Sequence, residues 1–229
     1  GLGDVYKRQT LSLKFEESIK LDDLKSCSFF REISIRCENF LKGNDHLAIF
    51  LGKEDIAKSF FFLAFYNYLN TKHKCIYFSL KKSIPSINLK VDEAEIIFMD
   101  GYNHLFNSEE GEKKLFNLFN LSKEKKIKVF FNNSLQGPQV IKLDDLNSRL
   151  SSSLQVDFPV LSDNDKKIIV INFLKKRGLL MNEQSIDFIL KRYSRNLNDL
   201  IELSIKLDEI SLEQKKNITI PLIKEFTSL

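Results

Sequence analysis

Apolar residues in this chain gather in short dense runs, and polar, lysine-rich stretches separate them. Five runs have strand length: "HLAIFL" (46–51), "CIYFSL" (75–80), "AEIIFMD" (94–100), "IKVFFNN" (127–133) and "LQVDFPV" (154–160). Between them lie segments with helical spacing. These are a short helix near 32–41, "KSFFFLAFYNYLN" (58–70), "EEGEKKLFNLFNLSKEKK" (109–126) and "LDDLNSRLSS" (143–152). In 109–126, Leu115, Leu118, Phe119 and Leu121 fall on one side. Short apolar strands alternating with helices predict a parallel sheet with crossover connections.

From Leu161 the pattern changes. "LSDNDKKIIVINFLKKRG" has Ser162 as a helix cap and Gly178 as a stop. "MNEQSIDFILKRYS", "NLNDLIELSIKLDEISLEQKK" and "ITIPLIKEF" follow as helices, with Pro221 in the first turn of the last. The fold class is therefore α/β: a five-stranded parallel sheet over residues 17–160, then a small all-α unit over 161–229. The helical unit is small for a domain that stands alone.

Composition changes this picture little. The chain has 229 residues, is 43% hydrophobic and carries a formal charge of +4, which suits a folded protein with solvated lysines. Its 20 Phe cluster at apolar positions and are expected in the core. Cys27, Cys37 and Cys75 lack metal or redox spacing, so free thiols in a reducing, cytoplasmic setting are expected. No apolar run has the length of a membrane span. "GLGDVYKRQ" (1–9) is unlike the rest and is read as a non-native leader.

Four stretches carry candidate chemistry. "GKEDIAKS" follows the first strand and opens a helix, the setting of a phosphate loop, G-x-x-x-x-G-K-[ST]. Gly52, Lys58 and Ser59 are in register, while Ala57 replaces the second glycine and would penalise any positive φ. Alone, this pattern is as often accidental as real. "IIFMD" places Asp100 at a strand end, where it would meet Mg²⁺ or cap a turn. Gly101 stands where many ATPases carry a second acid. Arg149 follows the fourth strand and either faces a neighbouring subunit's nucleotide or pairs with Asp144 or Asp145. "TLSLKF" is an edge strand or a linear peptide with apolar anchors Leu11, Leu13 and Phe15.

Together these stretches resemble the DnaA-related AAA+ family and, within it, the Hda branch. "LDDLNSRL" resembles L-P-D-L-x-S-R-L, "LSDNDK" resembles L-S-D-E-D-K, and "ITIPLIKE" resembles T-I-P-F-V-K-E. "TLSLKF" resembles the Q-L-S-L-P-L clamp-binding peptide. The chain stops where the DNA-binding domain of DnaA would begin, which is expected of the Hda branch. The resemblance implies an AAA+ nucleotide domain with a helical lid and ADP as ligand, with Mg²⁺ on Ser59 and Asp100. It implies nucleotide contacts at Gly52, Ala57, Lys58, Ser59, Asp100, Asn133, Arg195 and Asn198. It makes residues 10–16 a clamp peptide, with Thr10, Leu11, Ser12, Leu13 and Phe15 touching the polymerase sliding clamp. It makes Arg149 an arginine finger acting in trans on ATP held by DnaA.

The implied function is negative regulation of replication initiation, with DnaA and the clamp as partners and DNA reached through the clamp. Homo-oligomers stay open, and no membrane partner or ATPase activity of its own is expected. Departures from the family pattern are Ala57, Gly101, Asn133 for an Asp, Asn198 for the lid arginine, Lys14 for Pro and Thr10 for Gln. They bear on how tightly nucleotide and clamp are held, not on the fold. The alternatives are an adaptor that recruits DnaA with a dead nucleotide site, and a true ATPase, against which Gly101 argues.

Overall fold

The computed structural model describes residues 19–79, 91–101, 105–106, 108–133, 141–176, 178, 181–214 and 217–227. The clamp-peptide residues Thr10, Leu11, Ser12, Leu13 and Phe15 lie outside them. The chain divides into two units, one of residues 29–160 and one that combines 161–229 with 1–28.

The first unit is a parallel sheet between helices. In chain order it runs α1 (Phe30–Lys42), β1 (Leu47–Leu51), α2 (Asp55–Leu69), β2 (Cys75–Ser79), β3 (Ile96–Asp100), α3 (Glu109–Glu124), β4 (Lys128–Asn132), α4 (Asp144–Ser152) and β5 (Leu154–Asp157). Five strands pair in the order β2-β3-β4-β1-β5, and every pairing is parallel. Each strand predicted from an apolar run is present, trimmed by one to three residues. Central strands β1, β3 and β4 bury both faces, which is why they read as continuous apolar runs without alternation.

The phenylalanines explain how one face is built. Side chains alternate along a strand, so Phe50, Phe98 and Phe130 project together towards Phe61, Phe62 and Phe65 of α2. Phe98 stacks on Phe130 with ring centroids 4.9 Å apart. Phe62 meets Phe50 edge-on at 4.7 Å, and Phe65 meets Phe130 at 5.6 Å. On the other face Ile49, Ile97, Met99, Val129 and Phe131 pack with Leu115, Leu118 and Phe119 of α3 and Leu146 and Leu150 of α4. A fully buried Phe here contributes about 3 kcal/mol, and truncating one to Ala costs about 3–5 kcal/mol.

In the second unit the helices are α5 (Asp163–Lys176), α6 (Glu183–Arg192), α7 (Leu197–Gln214) and α8 (Ile220–Thr227). Ser162 caps α5 as expected: its Oγ accepts the Asp165 amide at 3.1 Å, and Asp165 accepts the Ser162 amide in return. Gly178 has φ +75°, the left-handed conformation that ends a helix. Asp165 also accepts the Ser28 amide at 2.7 Å and the Ser28 hydroxyl at 2.8 Å, and Lys176 pairs with Asp23 at 3.1 Å. These contacts place residues 19–28 with the helices. Among the described residues no helix is long and apolar enough to cross a membrane.

Candidate functional site

The carboxyl end of the sheet gathers most of the residues singled out in the sequence. Gly52 follows β1 with φ +121°, a conformation L side chains rarely adopt, and a Cβ there would come within 2.7 Å of the Phe158 carbonyl oxygen. Glycine is therefore required at this position by Phe158, the residue just past β5. Ala57 is different. It is buried in the first turn of α2, and Lys126 is the one non-glycine with positive φ among the described residues. The penalty expected for an alanine Cβ does not arise, because α2 begins at Asp55 and Ala57 is already helical.

That early helix start decides the fate of Lys58. Its amide donates to the Glu54 carbonyl at 3.0 Å, an ordinary helical bond. Its side chain is completely buried, and burial pushes the ammonium pKa below the usual lysine value. The Nζ donates to the carbonyl oxygens of Gly52 at 2.7 Å and Asn133 at 3.1 Å, and lies 3.1 Å from the Asp55 carboxylate. An ammonium has three N–H donors, and three internal oxygens surround this one.

Ser59 Oγ donates to Asp100 Oδ1 at 3.0 Å, so the two residues proposed for Mg²⁺ are adjacent. Asp100 also accepts from Asn132 Nδ2 at 2.6 Å and from the Tyr77 hydroxyl at 2.9 Å. Hard oxygen donors side by side fit Mg²⁺, which takes one or two protein oxygens plus water and phosphate. Asn133 is buried just past β4. Its amide donates to the Phe50 carbonyl at 3.0 Å, and its Oδ1 has no hydrogen-bond partner among the described residues. Arg195 and Asn198 belong to the helical unit. Arg195 is exposed with Nε 3.8 Å from the Asp163 carboxylate, and its carbonyl accepts Lys166 Nζ at 2.8 Å. Asn198 is exposed in the first turn of α7, its amide bonded to Asn196 Oδ1 at 2.8 Å.

Arg149 lies elsewhere. It sits on α4, which runs into β5, and Leu154 of β5 pairs with Ala48 of β1. Arg149 is therefore at the amino end of the sheet, about one strand length, roughly 16 Å, from the loop. It lines a small cavity of about 70 Å³ with Asp45, His46, Lys123, Ser152 and Ser153. Its guanidinium lies over the Phe116 ring at 5.7 Å, and it makes no ion pair among the described residues. Asp144 and Asp145, the acids it could have joined, do not hold it. His46 is kept below the usual imidazole pKa, first by burial and then by Arg149 and Lys123.

Sequence reasoning missed several residues. Asp55 was visible as an acid inside the loop motif. Asn132 was visible as part of the polar end of "IKVFFNN", whereas Tyr77 gave no signal, because strand pairing alone brings it to Asp100. Glu112 gave none either: it is fully buried, and its carboxylate accepts the Lys142 amide at 3.0 Å and the Leu143 amide at 2.8 Å. Leu143 is the N-cap of α4, so Glu112 fixes the start of the helix that carries Arg149.

Comparison with known proteins follows the same division. Residues 163–227 match the family model "Hda, lid domain". The fold matches domain III of the replication initiation protein DnaA from Thermotoga maritima, with TM-score 0.72 and 17% identity over 92% of this chain and 98% of that one. Over residues 163–227 the chain is thus similar to the Hda lid domain, and as a whole it shares the fold of DnaA domain III. The fold is also similar to that of the RuvB branch migration motor of Thermotoga maritima, with TM-score 0.62 and 14% identity over 92% of this chain and 72% of that one. A curated protein of Haemophilus influenzae, described only as uncharacterized, is 27% identical over 184 residues, covering 78% of this chain and 80% of the relative.

Proposed function

We propose that this chain is a cytoplasmic regulator of replication initiation that inactivates DnaA by stimulating hydrolysis of DnaA-bound ATP. Arg149 acts in trans as the arginine finger. The observation that carries this reading is the state of Arg149 itself. A guanidinium without a carboxylate among the described residues, set on an aromatic ring at the sheet end away from its own loop, can serve another subunit's phosphate. It spreads positive charge where a transferring phosphoryl group develops negative charge, and so lowers that barrier. The Hda-type lid over residues 163–227 supports DnaA as the partner.

Under this reading residues 10–16 tether the protein to the DNA-loaded sliding clamp, which raises its effective concentration near DnaA. ADP is the ligand of its own loop, with Mg²⁺ on Ser59 and Asp100, and ATP hydrolysis by this chain is not part of the mechanism. The test is DnaA-bound ATP hydrolysis in the presence of clamp-loaded DNA. The intact protein accelerates it, Arg149→Ala abolishes the acceleration, and Leu11→Ala with Leu13→Ala reduces it where the clamp is present. Acceleration that survives Arg149→Ala overturns the reading.

A second reading has an observation in its favour. Lys58 already donates to two backbone carbonyls and pairs with Asp55, which suits an adaptor that recruits DnaA without nucleotide. Recruitment with no change in hydrolysis would select it, as would a melting temperature indifferent to ADP.

A further inference from the structure

We infer that Asp55 is a built-in competitor for phosphate: it occupies the Lys58 ammonium, so that the loop Gly52–Ser59 is folded and charge-neutral at Lys58 without nucleotide, and ADP enters only by displacing it. The inference rests on reading this stretch as a phosphate loop. It does not depend on the trans role of Arg149.

Three observations converge on it. First, the Asp55 carboxylate lies 3.1 Å from Lys58 Nζ, which also donates to the Gly52 and Asn133 carbonyls at 2.7 and 3.1 Å. A phosphate oxygen would have to replace one of these. The carboxylate is the group that moves: its Oδ1 is buried against Lys58, but it belongs to a side chain that is 28% exposed as a whole, whereas the competing oxygens are backbone, with Gly52 locked against Phe158 and Asn133 bonded to β1. Second, the Lys58 amide, a donor a phosphate loop turns towards its ligand, is spent on the Glu54 carbonyl, since helix α2 starts at Asp55. Third, the local charge is unfavourable to an anion. Lys58 is opposed by Asp55 and by Asp100, whose oxygens face Ser59.

The charges also fix the ligand's form. A nucleoside diphosphate brings negative charge to a site with two carboxylates and one ammonium. It binds as its Mg²⁺ complex, the cation offsetting Asp100 while the phosphate takes over Lys58 from Asp55. Asp55→Asn keeps the shape of the side chain and removes the competing charge.

The experiment is isothermal titration of ADP into the full chain, with and without Mg²⁺, for the unmodified protein, Asp55→Asn and Asp55→Asn/Lys58→Ala. Circular dichroism confirms folding of each. Asp55→Asn is expected to bind Mg·ADP at least tenfold more tightly than the unmodified protein, and the double variant to lose that gain. Without nucleotide, Asp55→Asn is expected to melt lower than the unmodified protein, and Mg·ADP to reverse the deficit. Equal affinity of unmodified protein and Asp55→Asn overturns the inference, as does no binding by either at millimolar ADP. A double variant that binds as tightly as Asp55→Asn overturns it too, because Lys58 would then not be the contested group. No DnaA is present in the titration, so its failure leaves the Arg149 reading standing. Failure of the hydrolysis assay likewise leaves the Asp55 inference standing.

Discussion

The two ends of one sheet hold their cations in opposite ways. At the carboxyl end Lys58 is fully buried and ringed by Gly52, Asn133 and Asp55 oxygens. At the amino end Arg149 is half-buried, backed by Phe116 and open to a cavity. The difference teaches where to look for function. A cation whose donors are satisfied internally holds the fold together, and a ligand there must compete with the chain. A cation held only by ring contact costs little to redirect towards a partner. The loop that resembles an enzyme's is closed in on itself, while Arg149 borders a small cavity at the other end of the sheet.

The sharpest way to break this comparison is Arg149→Ala. It is expected to reduce stimulated hydrolysis of DnaA-bound ATP by about a thousandfold or more, the usual worth of an arginine finger, with thermal stability almost unchanged. A single-turnover assay with preloaded ATP reads it. A large loss of stability instead would mean that Arg149 is structural, like Lys58.

Next comes Glu112→Ala. It leaves the partly buried Lys142 and Leu143 amides without their acceptor, for a cost of about 2–3 kcal/mol. Urea denaturation measures that cost, and stimulation should fall as α4 loses its anchor. Glu112→Gln, which keeps an acceptor oxygen, should recover part of both.

Gly52→Ala tests the inward end. The positive φ and the close Phe158 carbonyl together predict a loss of about 2 kcal/mol. The reverse-type substitution, Ala57→Gly, restores the phosphate-loop consensus yet should lower stability by about 1 kcal/mol, because Ala57 is inside a helix. Stability gained by Ala57→Gly would show that the position is strained after all.

The smallest effect is a pH dependence at the outward end. His46 has a folded pKa below its unfolded value of 6.5. The unfolded chain therefore takes up the proton first as pH falls. Stability contributed by neutral His46 is present above about pH 6.5 and lost below it, down to the folded pKa. Urea midpoints between pH 7.5 and 5.5 should show this slope, and Arg149→Ala should flatten it by removing one of the charges that repel the proton.

Much of this molecule was legible in the sequence. Strands β1, β3 and β4 stood out because burial on both faces demands unbroken apolar runs, and the helical unit because Ser162 and Gly178 mark its first helix with capping chemistry. Gly52, Lys58, Ser59 and Asp100 were legible as spacing; the structure sets them at the carboxyl end of the sheet, with Lys58 facing the chain's own oxygens. The trap set by Ala57 was a wrong guess about backbone: the alanine was read as a loop residue, and the helix had already begun.

The sequence alone determined the order of elements, the dense phenylalanine core and the residue types at each strand end, because local periodicity and capping are properties of neighbouring positions. Only the tertiary structure decided which oxygens meet Lys58, that Asn132 and Tyr77 converge on Asp100, and that Glu112 ties down α4. Those contacts join residues up to dozens of positions apart, through parallel strand pairing and crossover helices. No local pattern carries that information. The setting of Arg149, without an ion pair among the described residues, is of the same kind: Asp144 and Asp145 are its neighbours in sequence, but the packing of α4 on α3 gives it Phe116 instead.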